Sequence, residues 1–368
     1  MKILIVPNAF KGSLSAPDFC ARASFLSKKH KVKFVPFSDG GDSVLDVFSY
    51  AFLNSRLFYT KAFNAVGKIH KAPYLILADG KTCIIESAKI CGLGELKKSE
   101  RDFMGASSYG IGQVIKAAYK KGARIFYIGL GGAAFNDGGV GMAMALGYKF
   151  YGSKKQLLKK GLYALQELCS IKKPALLPYI KVYGLSDVKN PLLGPLGSAA
   201  VYGPQKGATA KQVVVAEKIL NNLHKIVKKD LGININTKYC GACGGLGAGL
   251  KGFLGAELVS GAPFIARKLN LKKYIKQADI IITGEGKLDG QSFYGKGPVY
   301  ICEVAGKYKK PVIFICGINE IKNKDLLKKY AIKQVISLAH RAKNAQDAFK
   351  NAGFYVSKVL KELAFDKF

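Results

Sequence analysis

Acidic residues are scarce in this sequence. Its 368 residues include 24 Asp and Glu against 58 Lys and Arg, which gives a formal net charge of +34. Such an excess favours contact with phosphates and suggests nucleic acid as a partner class. The lysines are spread along the chain, however, without the long blocks of like charge or the basic and aromatic interleaving typical of RNA-binding proteins. The charge therefore favours an enzyme that binds small anions, with nucleic-acid binding as the alternative.

Long apolar runs are also missing. The apolar stretches, such as Val312 to Cys316, fall well short of the roughly 20 residues that span a bilayer. The segment from Met1 to Pro7 turns polar at Asn8 and lacks the length and cleavage site of a signal peptide, so it predicts a first strand. We therefore expect a cytoplasmic protein that does not contact membranes.

Signatures of zinc sites and of activated nucleophiles are absent. Cys240 and Cys243 have the spacing of a metal or redox pair, but no second pair follows, and the chain has 4 histidines. The G-x-S-x-G and H-E-x-x-H motifs do not occur. The two cysteines are therefore interpreted as small residues in a glycine-rich loop.

Both ends of the sequence alternate between short apolar runs and helical patterns. The pattern predicts strands at 2–6, 31–36, 279–282, 312–316 and 334–338, with helices at 16–28 and 342–363. This alternation is typical of a parallel sheet with helices on both faces. In such sheets ligands bind beyond the carboxyl ends of the strands.

The middle of the chain has a different pattern. We predict a hairpin or mixed sheet from 72–77 and 82–86, strands at 124–129 and 181–185, a helix or its approach at 136–146, and an irregular loop at 239–249. The fold class is therefore α/β with two domains. One is a doubly wound parallel sheet built from both chain ends, residues 1–60 and 272–368, and the other is an inserted α/β domain, residues 61–271.

Carboxylates next to glycines mark several predicted strand ends. They are Asp39, Asp42, Asp137, Asp187, Glu285 and Asp289. Each one alone could simply cap a turn. Together with lysines and glycine-loop amides they match what phosphoryl transfer requires: cations for phosphate oxygens, acids that hold Mg²⁺ and one acid that orients the attacking hydroxyl. Two glycine loops, at 129–134 and 290–297, depart from the dinucleotide and P-loop motifs at one position or more.

Six ordered motifs resemble those of the bacterial glycerate kinase family that is unrelated to the ribokinase-like glycerate kinases. The motifs lie at 8–13, 38–43, 129–139, 186–191, 202–209 and 283–289, and the similarity extends from residue 1 to about residue 320. The resemblance implies transfer of the ATP γ-phosphoryl group, with Mg²⁺, to a hydroxyl of D-glycerate, usually giving the 2-phospho isomer. It also implies a flavodoxin-like domain and an inserted domain, with the active site in the cleft.

The resemblance and the residue chemistry together suggest roles for individual positions. The catalytic candidates are Lys11 for a phosphate or substrate carboxylate, and Asp39 and Asp187 for orienting the hydroxyl. The substrate-binding candidates are Ser13, Asn136, Asp137 and Lys206, although Asn136 and Asp137 could instead cap the following helix. The nucleotide-binding candidates are Gly284, Gly286, Lys296 and Gly317, and the metal candidates are Glu285 and Asp289.

Several positions depart from the family pattern. Asn8 replaces the usual Asp, Asp42 replaces Glu, Ser43 replaces Gly, and Cys240 and Cys243 replace Gly and Ala. These departures leave two alternatives open, a phosphotransferase for another small hydroxy acid and a weakened or inactive relative that binds ligand. The expected partners are D-glycerate and ATP, and homodimer formation is left open.

Overall fold

The computed structural model describes residues 1–176, 179–294 and 297–365. The strands are β1 Lys2–Pro7, β2 Lys31–Phe34, β3 Arg56–Phe63, β4 Ile69–Ile76, β5 Thr82–Glu86, β6 Ile125–Gly129, β7 Lys149–Tyr151, β8 Ser170–Lys172, β9 Lys181–Ser186, β10 Glu257–Ser260, β11 Ile280–Leu288, β12 Val312–Asn319 and β13 Ile332–Ser337. The helices are α1 Ala16–Arg22, α2 Val44–Ala51, α3 Ser87–Cys91, α4 Tyr109–Lys120, α5 Val140–Ala145, α6 Ser198–Tyr202, α7 Ala210–Leu231, α8 Ala242–Leu254, α9 Gly261–Lys268, α10 Leu271–Gln277, α11 Gly297–Lys307, α12 Lys324–Lys329, α13 Ala345–Lys350 and α14 Ala352–Glu362.

The chain divides into two compact units. The terminal unit comprises Met1–Asp39, Asp46–Ala51 and Gly261–Phe368, and the inserted unit comprises Gly40–Leu45 and Phe52–Ser260. The sequence-based bounds place the corresponding breaks later along the chain, after residues 60 and 271. None of the helices in the described part of the chain is both long and apolar enough to cross a membrane.

The terminal unit is built on a five-stranded sheet in the order β2-β1-β11-β12-β13, with every pair parallel. Numbered along this unit, the order is 2-1-3-4-5, which is that of flavodoxin-like folds. The runs Ile3 to Val6, Ile280 to Ile282 and Val312 to Cys316 are buried throughout, as expected for strands covered on both faces. The predicted parallel α/β sheet is thus confirmed, and its order reverses between β1 and β11.

The inserted unit contains a six-stranded sheet in the order β10-β9-β6-β5-β4-β3. β5, β6, β9 and β10 are parallel, whereas β4 pairs antiparallel with β5 and β3 with β4, which confirms the predicted hairpin. Because β5, β6 and β9 run in the same direction, the residues that follow Glu86, Gly129 and Ser186 emerge at one edge of the sheet. Two of the six sequence motifs, those at 129–139 and 186–191, begin at these strand ends.

Two sequence predictions of secondary structure were wrong in part. The segment predicted as the irregular loop 239–249 enters α8 at Ala242, passes through three left-handed residues at 243–245 and continues as a right-handed helix. The predicted helix or its approach at 136–146 is an approach through Gly138 and Gly139, which have positive φ, followed by α5 from Val140. The last helix is divided at Asn351 into α13 and α14. In the first case glycine reflects close packing, since a Cβ at Gly249 would lie 2.6 Å from the Gly139 Cα.

Candidate active site

The loop after β1 lies where the strand order of the terminal unit reverses. Asn8 is 9% exposed, and its backbone N–H donates to the Gly284 carbonyl of β11 at 2.9 Å. Its side-chain Nδ2 lies 3.4 Å from Asp39 Oδ2, and its Oδ1 accepts from the Ala9 N–H. The residue that replaces the family's usual aspartate therefore holds an amide, rather than a second carboxylate, beside Asp39.

Lys11 occupies a tight turn that follows this residue. The turn closes through reciprocal backbone hydrogen bonds between Phe10 and Leu14, and the Lys11 side chain is exposed. The turn packs beside Gly286 of β11, where a Cβ would make ordinary contact, 3.5 Å from the Lys11 backbone N. Ser13, a substrate-binding candidate, instead donates its hydroxyl to the Phe349 carbonyl of α13. Lys11 therefore lies beyond the carboxyl end of β1, where parallel α/β sheets bind ligands. Ser13 instead holds the turn against α13.

The end of β11 carries both metal candidates. Glu285 is half-buried and pairs in register with Cys316 of β12. Asp289 caps the following 3₁₀ helix, with Oδ1 accepting from the N–H groups of Gln291 at 2.9 Å and Ser292 at 3.1 Å. Its Oδ2 lies 3.5 Å from Lys287 Nζ. The Asp289 carboxylate thus caps a helix. Of the two metal candidates, Glu285 is therefore the better placed.

The nucleotide-binding candidates lie on β11, on β12 and before α11. A Cβ at Gly284 would lie 1.8 Å from the Ile315 carbonyl oxygen, and one at Gly317 would lie 2.5 Å from the Gly286 carbonyl oxygen. Strand packing alone therefore requires glycine at both positions. Lys296 lies outside the described residues. The first residue of α11, Gly297, approaches Asn8, because a Cβ there would lie 3.0 Å from Asn8 Nδ2.

In the inserted unit, Asp187 directly follows β9 and is half-buried. The turn around it is fixed by Ser186, whose hydroxyl donates to the Val188 carbonyl at 2.8 Å. The neighbouring Tyr202 hydroxyl donates to Asn190 Oδ1 at 2.8 Å. Burial, and secondarily the charge of Asp187, raise the pKa of Tyr202 to about 12. Asp187 thus lies at the carboxyl end of β9, on a turn held by hydrogen bonds.

The buried acid in the loop after β6 is Asp137. Its carboxylate is fully buried and accepts from five donors. These are the Ser107 hydroxyl, the Ser108 N–H and hydroxyl, and the N–H groups of Gly139 and Gly141, at 2.8 to 3.2 Å. Burial raises the pKa of Asp137, while the bonds from Ser108, Gly141 and Gly139 lower it. Of the two alternatives for Asp137, this geometry favours the cap.

Asn136 and Lys206 are buried as well. Asn136 Oδ1 accepts from the Ser198 hydroxyl at 2.8 Å. Lys206 is 2% exposed and donates from Nζ to the Phe135 carbonyl at 2.6 Å. Burial lowers the pKa of Lys206 to about 8. Both side chains are buried against the loop after β6, and these contacts are with the protein itself.

Sequence analysis missed Glu86. This buried residue at the end of β5 accepts from the N–H groups of Ser43 at 3.0 Å and Leu45 at 3.1 Å. It thereby satisfies donors at the start of α2 and fixes the Asp42 segment in the inserted unit. No local pattern links Glu86 to Ser43, since the two are 43 residues apart.

Ser43→Gly is expected to stabilise the protein by roughly 0.5–1 kcal/mol, because Ser43 adopts a left-handed φ of 65° that penalises a Cβ. The family's usual glycine at this position has the same explanation. Thermal unfolding should show Tm raised by roughly 1–3 °C. The N–H bond to Glu86 is retained in the variant, so an unchanged or lower Tm contradicts the strain argument.

Known proteins are similar to this chain over nearly its whole length. The family model described as the glycerate kinase family matches residues 3–365. The chain is 34% identical to "Glycerate 2-kinase" of Escherichia coli (strain K12), over 99% of this chain and 97% of that protein. It is 33% identical to "Glycerate kinase" of Bacillus subtilis (strain 168), with the same coverage.

A solved structure is also similar over its whole length. The crystal structure of a putative glycerate kinase 2 from Salmonella typhimurium LT2 matches with a TM-score of 0.82 and 29% identity, covering 100% of this chain and 99% of that one. The family model, the sequence relatives and the solved structure all cover both units. The chain therefore belongs to the glycerate kinase family, a family of enzymes.

Proposed function

We propose that this protein transfers the γ-phosphoryl group of ATP to a hydroxyl of D-glycerate and forms 2-phosphoglycerate. The observation that carries the proposal is that four of the six motifs, those at 8–13, 129–139, 186–191 and 283–289, lie at the carboxyl ends of parallel strands, where α/β sheets bind ligands. The similarity to a protein named glycerate 2-kinase supports the acceptor and the product isomer.

In the terminal unit, Lys11 contacts a phosphate or the substrate carboxylate as a mobile point charge. The start of α11 lies by Asn8 and Asp39 and supplies backbone N–H groups to nucleotide phosphates. Gly286 and its neighbours on β11 and β12 form the wall on which the nucleotide rests. Asp39 is the carboxylate that Asn8 orients, through the 3.4 Å contact.

The acids of the terminal unit fit Mg²⁺ only in part. Mg²⁺ keeps several waters and takes one or two protein carboxylates plus phosphates. Glu285, half-buried at the ligand edge, suits this role. Asp289 is a weaker ligand because Oδ1 caps a helix and Oδ2 lies beside Lys287, which also pairs with Glu320 at 2.9 Å. When bound, Mg²⁺ supplies charge for the phosphate oxygens, and we assign Glu285 to hold it.

In the inserted unit, Asp187 orients the attacking hydroxyl. The transition state of phosphoryl transfer is loose and requires positioning more than proton abstraction, so the carboxylate needs no strongly shifted pKa. Asn136, Asp137 and Lys206 act beneath the surface, since all three are buried. Of the four predicted substrate-binding residues, we therefore assign none to a contact with glycerate in this conformation.

One assay tests the function directly. Purified protein, Mg·ATP and D-glycerate are combined, and the product isomer is identified by phosphorus NMR. We expect 2-phosphoglycerate and ADP. A product other than 2-phosphoglycerate corrects the regiochemistry alone. If the protein phosphorylates only a different small hydroxy acid, the alternative phosphotransferase is supported. If it consumes ATP with neither acceptor, the kinase proposal is refuted.

The position of Asn8 supports a second candidate, a weakened relative. Asn8→Asp restores the family's carboxylate and places two acids about 3.4 Å apart. We expect the variant to be destabilised by about 1 kcal/mol without divalent cation, from like-charge repulsion in a wet site. Mg²⁺ should restore its Tm. Differential scanning fluorimetry with and without Mg²⁺ measures both effects, and a Tm insensitive to Mg²⁺ argues against a cation beside Asp39. A large gain in kcat supports the weakened relative.

A further inference from the structure

The segment from Ser198 to Lys206 connects two loops of the inserted unit, and we call it the clamp segment. It comprises α6 and the 3₁₀ turn Pro204–Lys206. Its side chains contact the loop at 129–139, which follows β6, and the loop at 187–191, which follows β9. β6 and β9 are neighbours in the sheet, with Gly129 opposite Leu185. One segment thus contacts two adjacent loops at the ligand edge.

The first contact is the buried amine of Lys206. Its Nζ donates to the Phe135 carbonyl at 2.6 Å, and no carboxylate of the described residues lies within ion-pair distance. Gly244 makes room for this arrangement, because a Cβ there would lie 2.9 Å from Nζ and 2.0 Å from the Phe135 oxygen. A buried ammonium costs several kcal/mol. Burial lowers the pKa of Lys206, and the charges of Cys243 and Asp137 raise it only in part, so its surroundings do not offset this cost. Stability alone therefore does not explain a lysine here.

The second contact fixes the next residue of the same loop. The Ser198 hydroxyl donates to Asn136 Oδ1 at 2.8 Å, and both side chains are fully buried. The Ser198 N–H also donates to the Leu192 carbonyl at 2.9 Å. Asn136 Nδ2 has no hydrogen-bond acceptor within the described part of the chain. Two consecutive residues, Phe135 and Asn136, are thus held from the two ends of the clamp segment.

The third contact reaches the loop that carries Asp187. The Tyr202 hydroxyl donates to Asn190 Oδ1 at 2.8 Å, and Asn190 Nδ2 donates back to the Leu196 carbonyl at 2.7 Å. Asp187 is close enough to Tyr202 for its charge to act on the phenol. The amide of Asn190 therefore links Asp187's loop to the segment that holds Phe135 and Asn136.

We propose that Ser198, Tyr202 and Lys206 are positioning residues that hold Asp187 in register with the 129–139 loop. This inference rests on the proposed function, in which Asp187 orients the acceptor hydroxyl. Displacement of a reacting group by about 1 Å can cost on the order of 10²-fold in rate. A brace of two buried hydrogen bonds and one partly buried hydrogen bond supplies the required precision, because each partner has a fixed position within the unit.

The test compares two clamp variants with two matched controls. Tyr202→Phe and Lys206→Met each remove one hydrogen bond and keep most of the side-chain volume. Their controls are Tyr148→Phe, which removes a 2.7 Å bond to the Phe253 carbonyl, and Lys251→Met, which removes a 2.8 Å bond to Thr237 Oγ1. Tyr148 has a pKa raised by burial to about 12, like that of Tyr202, so the phenols are closely matched.

We expect each clamp variant to lower kcat about tenfold or more, with the KM for ATP unchanged and with a loss of Tm no larger than that of its control. The controls should lose Tm while keeping kcat within about twofold, as expected for simple loss of a buried hydrogen bond. Equal effects on kcat in clamp and control variants, or rate losses that follow Tm, overturn the proposal.

Amide hydrogen exchange gives a readout that does not depend on catalysis. The clamp variants should exchange faster at residues 134–137 and 187–190, and the controls should not. If wild-type protein fails to phosphorylate D-glycerate, the proposed function is wrong, and the exchange data still decide whether the clamp exists. Unchanged exchange at both loops in an active enzyme refutes the clamp and leaves the function intact.

Discussion

Asp187→Asn is expected to lower kcat by about 10²-fold or more while the inserted unit stays folded. The substitution keeps the size of the side chain and removes the negative charge that would orient the acceptor hydroxyl. Asp187 is half-buried at the end of β9, and the hydrogen bonds of its turn are made by Ser186 and Asn190. Because these bonds do not involve the Asp187 carboxylate, we expect the turn to keep its backbone course in the variant. Steady-state kinetics with D-glycerate, together with thermal unfolding, measure both effects.

Asp79→Asn is the matched control for this variant. Asp79 lies before β5 and accepts from the Lys81 N–H and from the Thr82 N–H and hydroxyl, at 2.5 to 2.9 Å. The two Thr82 hydrogen bonds and the Lys81 bond lower the pKa of Asp79 against the effect of burial. The control should lower Tm and keep kcat. If Asp187→Asn keeps the wild-type kcat, Asp187 does not orient the acceptor hydroxyl, although the chain still belongs to the family.

The parallel sheet of the terminal unit could be predicted because each of its strands has a recognisable local sequence pattern. Runs such as Ile280 to Ile282 are apolar throughout, and the turn residues that follow each run mark the strand ends. The bounds were less predictable. β11 continues through the polar residues Gly284 to Leu288, because β12 pairs with it as far as Leu288 opposite Asn319. Pairing between strands, which local composition does not record, lengthened this strand.

The candidate site was predictable at exposed strand ends and unpredictable in the layer beneath them. Asp187 follows β9, and Glu285 follows the apolar run 280–282 of β11. Both carry charge, so local pattern and family motif both indicate them. The contacts of Lys206 and Ser198 join residues 71 and 62 positions apart in the sequence. Sequence analysis interpreted Lys206 as a contact for substrate because a lysine in a glycine loop is normally exposed. Its burial follows from tertiary packing around Gly244, for which a single sequence gives no signal.

Lys11→Ala is expected to lower kcat by about 10²-fold or more, because it removes a cation from the phosphate at the reversal point of the terminal sheet. Lys11 is exposed, and its turn is closed by the backbone of Phe10 and Leu14, so we expect the turn itself to persist in the variant. An interaction made only in the transition state lowers kcat and kcat/KM equally, whereas uniform binding raises KM alone. Kinetics at varied ATP and varied D-glycerate separate these cases.

Charge alone must be separated from position, because the chain has a net charge of +34 and attracts anions from every side. Lys29→Ala removes the same charge from an exposed lysine at the end of the 3₁₀ helix Ser24–Lys28 and should leave kcat unchanged. Lys11→Arg keeps the charge at the turn and should retain more activity than Lys11→Ala, if a point charge suffices there. If Lys29→Ala and Lys11→Ala lower kcat equally, the loss is due to weaker long-range attraction of anions. Activity of Lys11→Ala within about threefold of wild type shows that the phosphate is neutralised elsewhere, since a lost transition-state contact costs far more.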